Sequence, residues 1–286
     1  MPPDLDKMNK LPSGARFFDV NDLWYFANRW AVRFLYSRPI TANQVTLLSM
    51  VFGVVAAGLY LNPSGAGLWG AAFFLYGKIF LDNVDGNLAR VRGEVSRIGR
   101  FLDSLTDFIV TVLVYLAVTW RVYQQTGDPF VLGLGGFALI SGLLQCSYFV
   151  FYLVSYTTSY GAYSKNRVDE RVRPADREAV ESGALSRVGL CLQHLHGALY
   201  GWQDRAIEAL DRVSRKWAGA GSEQRKWVGE KWFLTSISPL CLCTNNMILV
   251  VFTLFDSLQA FLCLVAVGGN AYLLAVQALK VAHYRR

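Results

Sequence analysis

Six stretches of this chain are too long and too apolar to be left in water: residues 41–61, 66–84, 101–122, 130–160, 233–254 and 257–281. Roughly 20 residues of helix cross the hydrocarbon core of a bilayer, and there each backbone polar group must be satisfied within the helix itself. The expectation is an all-α polytopic membrane protein with six transmembrane helices. Composition agrees. Of the 286 residues 53% are hydrophobic and 17% charged, whereas soluble domains carry about 25% charged residues. These values exclude a disordered chain, a collagen and a disulfide scaffold. The cysteines (Cys146, Cys191, Cys241, Cys243 and Cys263) have no metal-ligand spacing and read as buried thiols in a reducing compartment. The first residues hold acids and prolines and no apolar run, so no cleavable signal peptide is expected.

Charge sets the orientation. The net charge is +7, and of the 28 Lys and Arg residues only Arg121 lies toward the side opposite the termini. Basic residues accumulate on the cytoplasmic side, so both termini and the polar segments are expected there, in the inner membrane if the source is bacterial. The basic excess thus calls for no nucleic acid. The chain divides into an N-terminal interfacial segment, 1–38, and a membrane domain, 39–286, with a cytoplasmic insertion at 161–232. Two polar segments carry apolar residues at helical spacing. In 17–34 these are Phe17, Val20, Leu23, Trp24, Ala27, Trp30, Ala31 and Phe34, with Arg29 and Arg33 apart from them. That pattern suits a helix lying in the headgroup layer. In 185–217 the stripe runs from Leu185 through Val188, Leu192, Leu195, Leu199 and Trp202 to Val213 and Trp217. It suits either the membrane surface or the protein's own cytoplasmic face.

One constellation carries chemistry. Asp82 and Asp85 are three residues apart, and Asp103 and Asp107 are four apart, so each pair lies on one face of a helix. The connecting loop is short, which makes the helices antiparallel neighbours and brings all four carboxylates to one end. Four such groups stay ionised in a poorly solvated site only beside a cation. Hard oxygen ligands suit Mg²⁺ or Mn²⁺, and two ions would form a clamp for phosphoryl chemistry. Gly86, Ala89 and Gly99 permit close approach, and the fork of Arg90 suits phosphate. A bound diphosphate is the expectation.

The order Asp-x2-Asp-Gly-x2-Ala-Arg-x8-Gly-x3-Asp-x3-Asp over 82–107 resembles the signature of the CDP-alcohol phosphotransferases, with each position present. The resemblance, extended by the six spans to about 39–281, implies transfer of a phosphoalcohol group from a CDP-activated alcohol to an acceptor hydroxyl, with release of CMP, in phospholipid synthesis. It implies a divalent metal site of Asp82, Asp85, Asp103 and Asp107, with Asp107 also the base. Gly86, Ala89, Arg90, Gly99 and Ser96 would line the CDP site. Asn43 and Thr46, in the segment from Pro39 to Thr46, resemble the family's nucleotide-contacting segment, although Asn43 is also a helix-capping residue type. A homodimer in a lipid membrane is a further implication.

Lys78 lies one turn before Asp82 and can neutralise the acids, contact phosphate or snorkel. Arg97 and Arg100 flank Gly99 and can meet an anionic acceptor or lipid headgroups. Lys165, Arg167, Arg171 and Arg173 fall where similar enzymes that accept a phosphorylated polyol place basic residues, and they also fit the positive-inside pattern. His194 and His196 cannot share a helix face, which argues against a metal role. CDP-diacylglycerol as donor to a small polar alcohol is the preferred direction. The alternative is a CDP-linked small alcohol, choline- or ethanolamine-like, donating to a lipid hydroxyl. An intramembrane prenyltransferase would separate its Asp motifs much further, and a transporter would place its acids near the midplane.

Overall fold

The computed structural model describes residues 3–9, 11, 13–19, 25–62, 64–160, 170, 172–181, 186–219 and 227–285, and among these no strand occurs. The helices are α1 (Tyr25–Tyr36), α2 (Ala42–Tyr60), α3 (Gly65–Arg92), α4 (Arg97–Thr126), α5 (Phe130–Ser159), α6 (Pro174–Glu181), α7 (Arg187–Ala218), α8 (Lys231–Ile237), α9 (Leu242–Leu254) and α10 (Leu258–Tyr284). The protein is an all-α polytopic membrane protein. By length and apolarity α2, α4, α5 and α10 can each cross a bilayer, and the bent pair Lys231–Leu240 and Leu242–Leu254 makes a fifth crossing if it is one span rather than a re-entrant loop. That count falls short of the six expected, because α3 carries Lys78, Asp82, Asp85, Arg90 and Arg92. Its 28 residues would still extend about 42 Å.

Local chemistry sets the α3–α4 turn that builds the site. Gly93, at φ 71°, closes α3 in the left-handed region, where glycine meets no Cβ penalty. Ser96 then caps α4 by accepting from the Gly99 N–H at 3.0 Å. Four residues thus reverse the chain. At the start of α2, Thr41 and Gln44 form a reciprocal capping box, so Asn43 does not serve as the cap and its side chain is available elsewhere.

The helices pack around two adjoining cores. One joins α2, α3, α4, α9 and the first half of α10 through Tyr60, Leu75, Val118, Leu249 and Phe261. Here a Cβ on Gly53 would lie 2.4 Å from Val110, so α2 and α4 approach as closely as backbone allows. The other joins α5, α8 and α10 to the N-terminal segment through Tyr148, Tyr152, Tyr156, Phe233, Leu11 and Ala15. Leu116, Phe137, Ile140, Val267 and Leu274 remain on the outside, as lipid-facing helices require. Arg121 is buried and donates to the carbonyls of Asn62 and Tyr60, so it caps the end of α2.

The two amphipathic segments each keep one face against the protein. The first is helical only over Tyr25–Tyr36, while Val20, Leu23 and Trp24 lie outside the described residues. It buries Asn28, Ala31 and Val32 and leaves Phe26, Trp30 and Phe34 exposed. Arg92 of α3 holds its last turn by donating to the carbonyls of Leu35, Tyr36 and Arg38. In the second, α7 buries Gly189, Gln193, Gln203, Asp211 and Ser214, while Val188, Leu195, Trp202, Val213 and Trp217 face outward. Most of the apolar stripe therefore faces away from the protein, although Leu210 packs against the second core beside the buried Ile207. The polar face packs on the protein through Gln203 to Ser147 and Asp211 to Tyr152. Two thiols depart from the buried reading, since Cys191 and Cys263 are exposed.

Candidate active site

The last turns of α3 and the first turns of α4 bring the acids together. Carboxylate oxygens of Asp82, Asp85 and Asp103 lie within 4.8 Å of one another. Asp107, one turn further along α4, is outside that trio and accepts a hydrogen bond from Lys78. Lys78 is only 2% exposed and also pairs with Asp82 at 3.1 Å. Of the readings open to this lysine, the structure selects neutralisation of the acids. It offsets only part of the charge, because four carboxylates face a single ammonium group. Oδ1 of Asp103 is buried with no hydrogen-bond partner among the described residues. An unsatisfied carboxylate oxygen beside two others is a costly arrangement without a cation. The hard-oxygen donor set and this orphaned atom fit a divalent ion such as Mg²⁺ or Mn²⁺.

A cavity of about 370 Å³ opens beside the acids. Asp85 and Asp103 reach it, together with Asn43, Thr46, Gly86, Ala89, Arg90, Ser96 and Gly99. Asp82 and Asp107 are not among its lining residues and sit behind the first two. The glycines are there for space. A Cβ at Gly99 would lie 3.1 Å from Oδ1 of Asn43, and one at Gly86 would lie 3.3 Å from the Arg90 guanidinium. Thr46 donates to Oδ2 of Asp85 at 2.5 Å, so it orients a carboxylate as well as lining the cavity. Arg90 is held by the Met8 carbonyl at 2.9 Å and by Oδ1 of Asn87 at 2.5 Å, which fixes the plane of its fork. The capped N-terminus of α4 lies at the same cavity, where the helix dipole favours an anion.

Arg97 and Arg100 also line the cavity, but they are already engaged. Arg97 bonds Glu170 at 3.0 Å and Asp176 at 3.2 Å, and Arg100 bonds Glu170. Glu170 and Asp176, 5% and 3% exposed, belong to the insertion that follows α5. Gln193 of α7 braces both, donating to the Glu170 carbonyl and to Oδ2 of Asp176 at 3.1 Å each. Lys165, Arg167 and Arg171 lie outside the described residues, while Arg173 leads into α6.

Sequence reasoning passed over three residues here. Glu170 and Asp176 lack a motif of their own. His196 lines the cavity between the rings of Phe101 and Tyr200, at 5.3 and 4.8 Å. Burial, with the Arg100 guanidinium beside it, pushes the imidazole pKa down to about 4, against the opposing pull of Glu170. It is therefore neutral at pH 7. Burial and the neighbouring Asp107 hold the Tyr200 hydroxyl protonated, and it donates to the Ser104 carbonyl at 2.8 Å.

Known proteins resemble this part of the chain in sequence. Residues 39–168 match the family model of the CDP-alcohol phosphatidyltransferases. A phosphatidylinositol phosphate synthase of Mycobacteroides abscessus is 30% identical over 164 residues, which cover 56% of this chain and 69% of the relative. The chain belongs to the CDP-alcohol phosphatidyltransferase family. A phosphatidylinositol phosphate synthase of Streptomyces avermitilis is 36% identical over 149 residues, covering 51% of this chain and 54% of the relative. The chain thus spans about half the length of that relative. An archaetidylinositol phosphate synthase of Pyrococcus horikoshii is 41% identical over 75 residues, or 26% of this chain and 37% of the relative. The family match encloses the acids, the cavity glycines and Arg90, and ends before Glu170, α6 and α7.

Proposed function

We propose that this family member transfers a phosphatidyl group from CDP-diacylglycerol to the hydroxyl of a small polar alcohol and releases CMP, as a step of phospholipid synthesis. The observation that carries the reading is the convergence of Asp82, Asp85 and Asp103 at the edge of a cavity lined by Gly86, Arg90 and Gly99. In this reading Asp82, Asp85, Asp103 and Asp107 hold two divalent ions, Mg²⁺ or Mn²⁺. When bound, the ions supply positive charge to the diphosphate and to the departing CMP. Arg90 grips diphosphate oxygens, its Nε and Nη2 already braced on Met8 and Asn87. Asn43, Thr46, Ala89 and Ser96 shape the nucleotide side. Asp107 takes the proton of the attacking hydroxyl, and Lys78, bonded to it, keeps the carboxylate oriented before attack. The active site and both termini face the cytoplasm, and the enzyme is a homodimer. The relatives' names, which join an inositol phosphate head to a lipid, support a lipid donor and a polyol acceptor.

Purified protein in detergent, supplied with CDP-diacylglycerol and a panel of alcohols, should release CMP only when Mg²⁺ or Mn²⁺ is present, and EDTA should stop it. Release from CDP-choline or CDP-ethanolamine in place of CDP-diacylglycerol would reverse the proposed direction. Release unaffected by EDTA would remove the ions from the reaction.

A further inference from the structure

We propose that α7 is embedded edgewise in the lipid leaflet nearest the acid site, its outward apolar stripe against acyl chains and a flanking row of arginines against anionic phospholipid headgroups. Depth is the first observation. Ser147 of α5 donates to Oε1 of Gln203 at 2.7 Å. α5 runs for 30 residues from Phe130 to Ser159, about 45 Å of helix against roughly 30 Å of hydrocarbon. Ser147 lies about 26 Å from the start of α5 at 1.5 Å per residue. It therefore falls inside a layer of that thickness wherever along α5 the layer is set. Gln203 is buried on this contact, and Trp202, the next residue of α7, is 41% exposed. The helix is held at the boundary of the hydrocarbon, so its outer face meets acyl chains there and not water. His196, one face round, lines the cavity, which sets α7 on the side of the acids.

The two borders of the stripe are the second observation. Val188, Leu195, Trp202, Val213 and Trp217 form the exposed stripe. With about 100° of turn per residue, Leu192, Leu199 and Leu210 border it on one side and are partly buried. Arg187, Arg205 and Arg212 border it on the other and are exposed. A seam made for a partner helix carries charges along both borders. A helix in the membrane interface is apolar toward the acyl chains and basic toward phosphate. Gln203, which reaches into the bilayer at Ser147, lies on the leucine side. The leucine border thus faces the bilayer interior, and the arginine border faces its surface. Arg212 also pairs with Glu208 at 3.3 Å, both well exposed, and a guanidinium fork there can serve a headgroup phosphate as well. Trp202 and Trp217 are the residue type that settles at headgroup level.

Cys191, an exposed thiol between Val188 and Leu195 on the stripe, gives the test a native handle. The full chain carrying Cys263→Ala, which removes the other exposed thiol, takes a nitroxide at Cys191 in nanodiscs of phosphatidylcholine and phosphatidylglycerol. Collision with oxygen, which concentrates among acyl chains, is compared with collision with a water-soluble nickel chelate. The expected ratio of oxygen to nickel is roughly tenfold higher at Cys191 than for a label at Glu208→Cys, beyond the arginine border, in protein with Cys191→Ser and Cys263→Ala. A label at Cys191 that meets mainly nickel puts the stripe in water and overturns the proposal. Protection from both reagents overturns it too, with spin–spin broadening assigning the face to a second copy and its absence to another segment of the chain. Arg187→Gln with Arg205→Gln should at least halve the rise in melting temperature that phosphatidylglycerol brings over pure phosphatidylcholine. An unchanged rise takes the headgroups away from the arginine border. No substrate enters these measurements, so their failure leaves the transferase reading as it stands.

Discussion

Two charged clusters meet at one cavity, and they are opposites. At the α3–α4 turn four carboxylates face one lysine, Lys78, and an oxygen of Asp103 has no partner among the described residues. At the wall made by the insertion, Arg97 and Arg100 face Glu170 and Asp176, and among the described residues these charges balance. Both clusters are mostly hidden from solvent, so burial does not distinguish them. Balance does. A cluster that closes its own charge contributes to the fold, whereas one left with excess charge of one sign is completed by something from outside. The first cluster falls within the part of the chain shared with relatives, and the second engages residues beyond it.

The largest expected effect tests the unbalanced side. Asp85→Ala should lower metal-dependent CMP release roughly 100-fold or more, since a bound ion supplies several kcal/mol of charge stabilisation to the reaction. The same change should leave the metal-free melting temperature equal or higher, because a like charge has been removed from a crowded site. A melting temperature that falls along with the activity would make Asp85 a structural residue and erase the contrast.

Arg97→Ala tests the balanced side. It removes one ion pair each from Asp176 and Glu170, and should cost about 2 kcal/mol in denaturant unfolding, less than a fully buried pair because Arg97 keeps some exposure. Adding Mn²⁺ should not restore this loss. Recovery with Mn²⁺ would show that the two clusters act as one.

The smallest effect is one of pH. The imidazole of His196 has its pKa lowered from 6.5 to about 4 by burial and Arg100, with Glu170 pulling the other way. The unfolded chain takes up this proton first as pH falls, so stability present above 6.5 is lost between 6.5 and about 4, and no further below that. His196→Phe should flatten the fall in melting temperature between pH 7 and 5 while keeping ring contacts with Phe101 and Tyr200. An unchanged slope would place the titration elsewhere.

The acid half of the cavity was legible because its residues are local in the chain. Asp82, Asp85, Gly86, Ala89 and Arg90 lie within three turns of one helix, and Gly99, Asp103 and Asp107 continue on the next. Spacing alone places them. The arginine wall was not legible, because its partners are far apart in the chain: Arg97 to Glu170, Gln193 to Asp176, Tyr200 to Ser104. No period or motif links them. Which face α7 keeps was left open for a different reason. In water an apolar stripe turns inward, but beside a membrane it can turn outward, and the glutamines and Asp211 become the packing face. The composition of a helix shows that it has two faces without saying which one the protein keeps. Asn43 and Thr46 were placed at the cavity as expected, yet the hydroxyl of Thr46 also serves the acid cluster.

Arg121 bears on how the molecule is assembled. An arginine at the centre of a helix in lipid costs roughly 2.5–3.5 kcal/mol on the scale of cellular insertion and less near a helix end, where Arg121 lies on α4. Its donation to the carbonyls at the end of α2 exists only once α2 and α4 lie side by side. During synthesis α2 emerges well before α4, so the carbonyl partners are already waiting when the arginine arrives. Insertion of α4 is thereby coupled to its first neighbour, and a misthreaded α4 would carry an unsatisfied charge that marks it for removal.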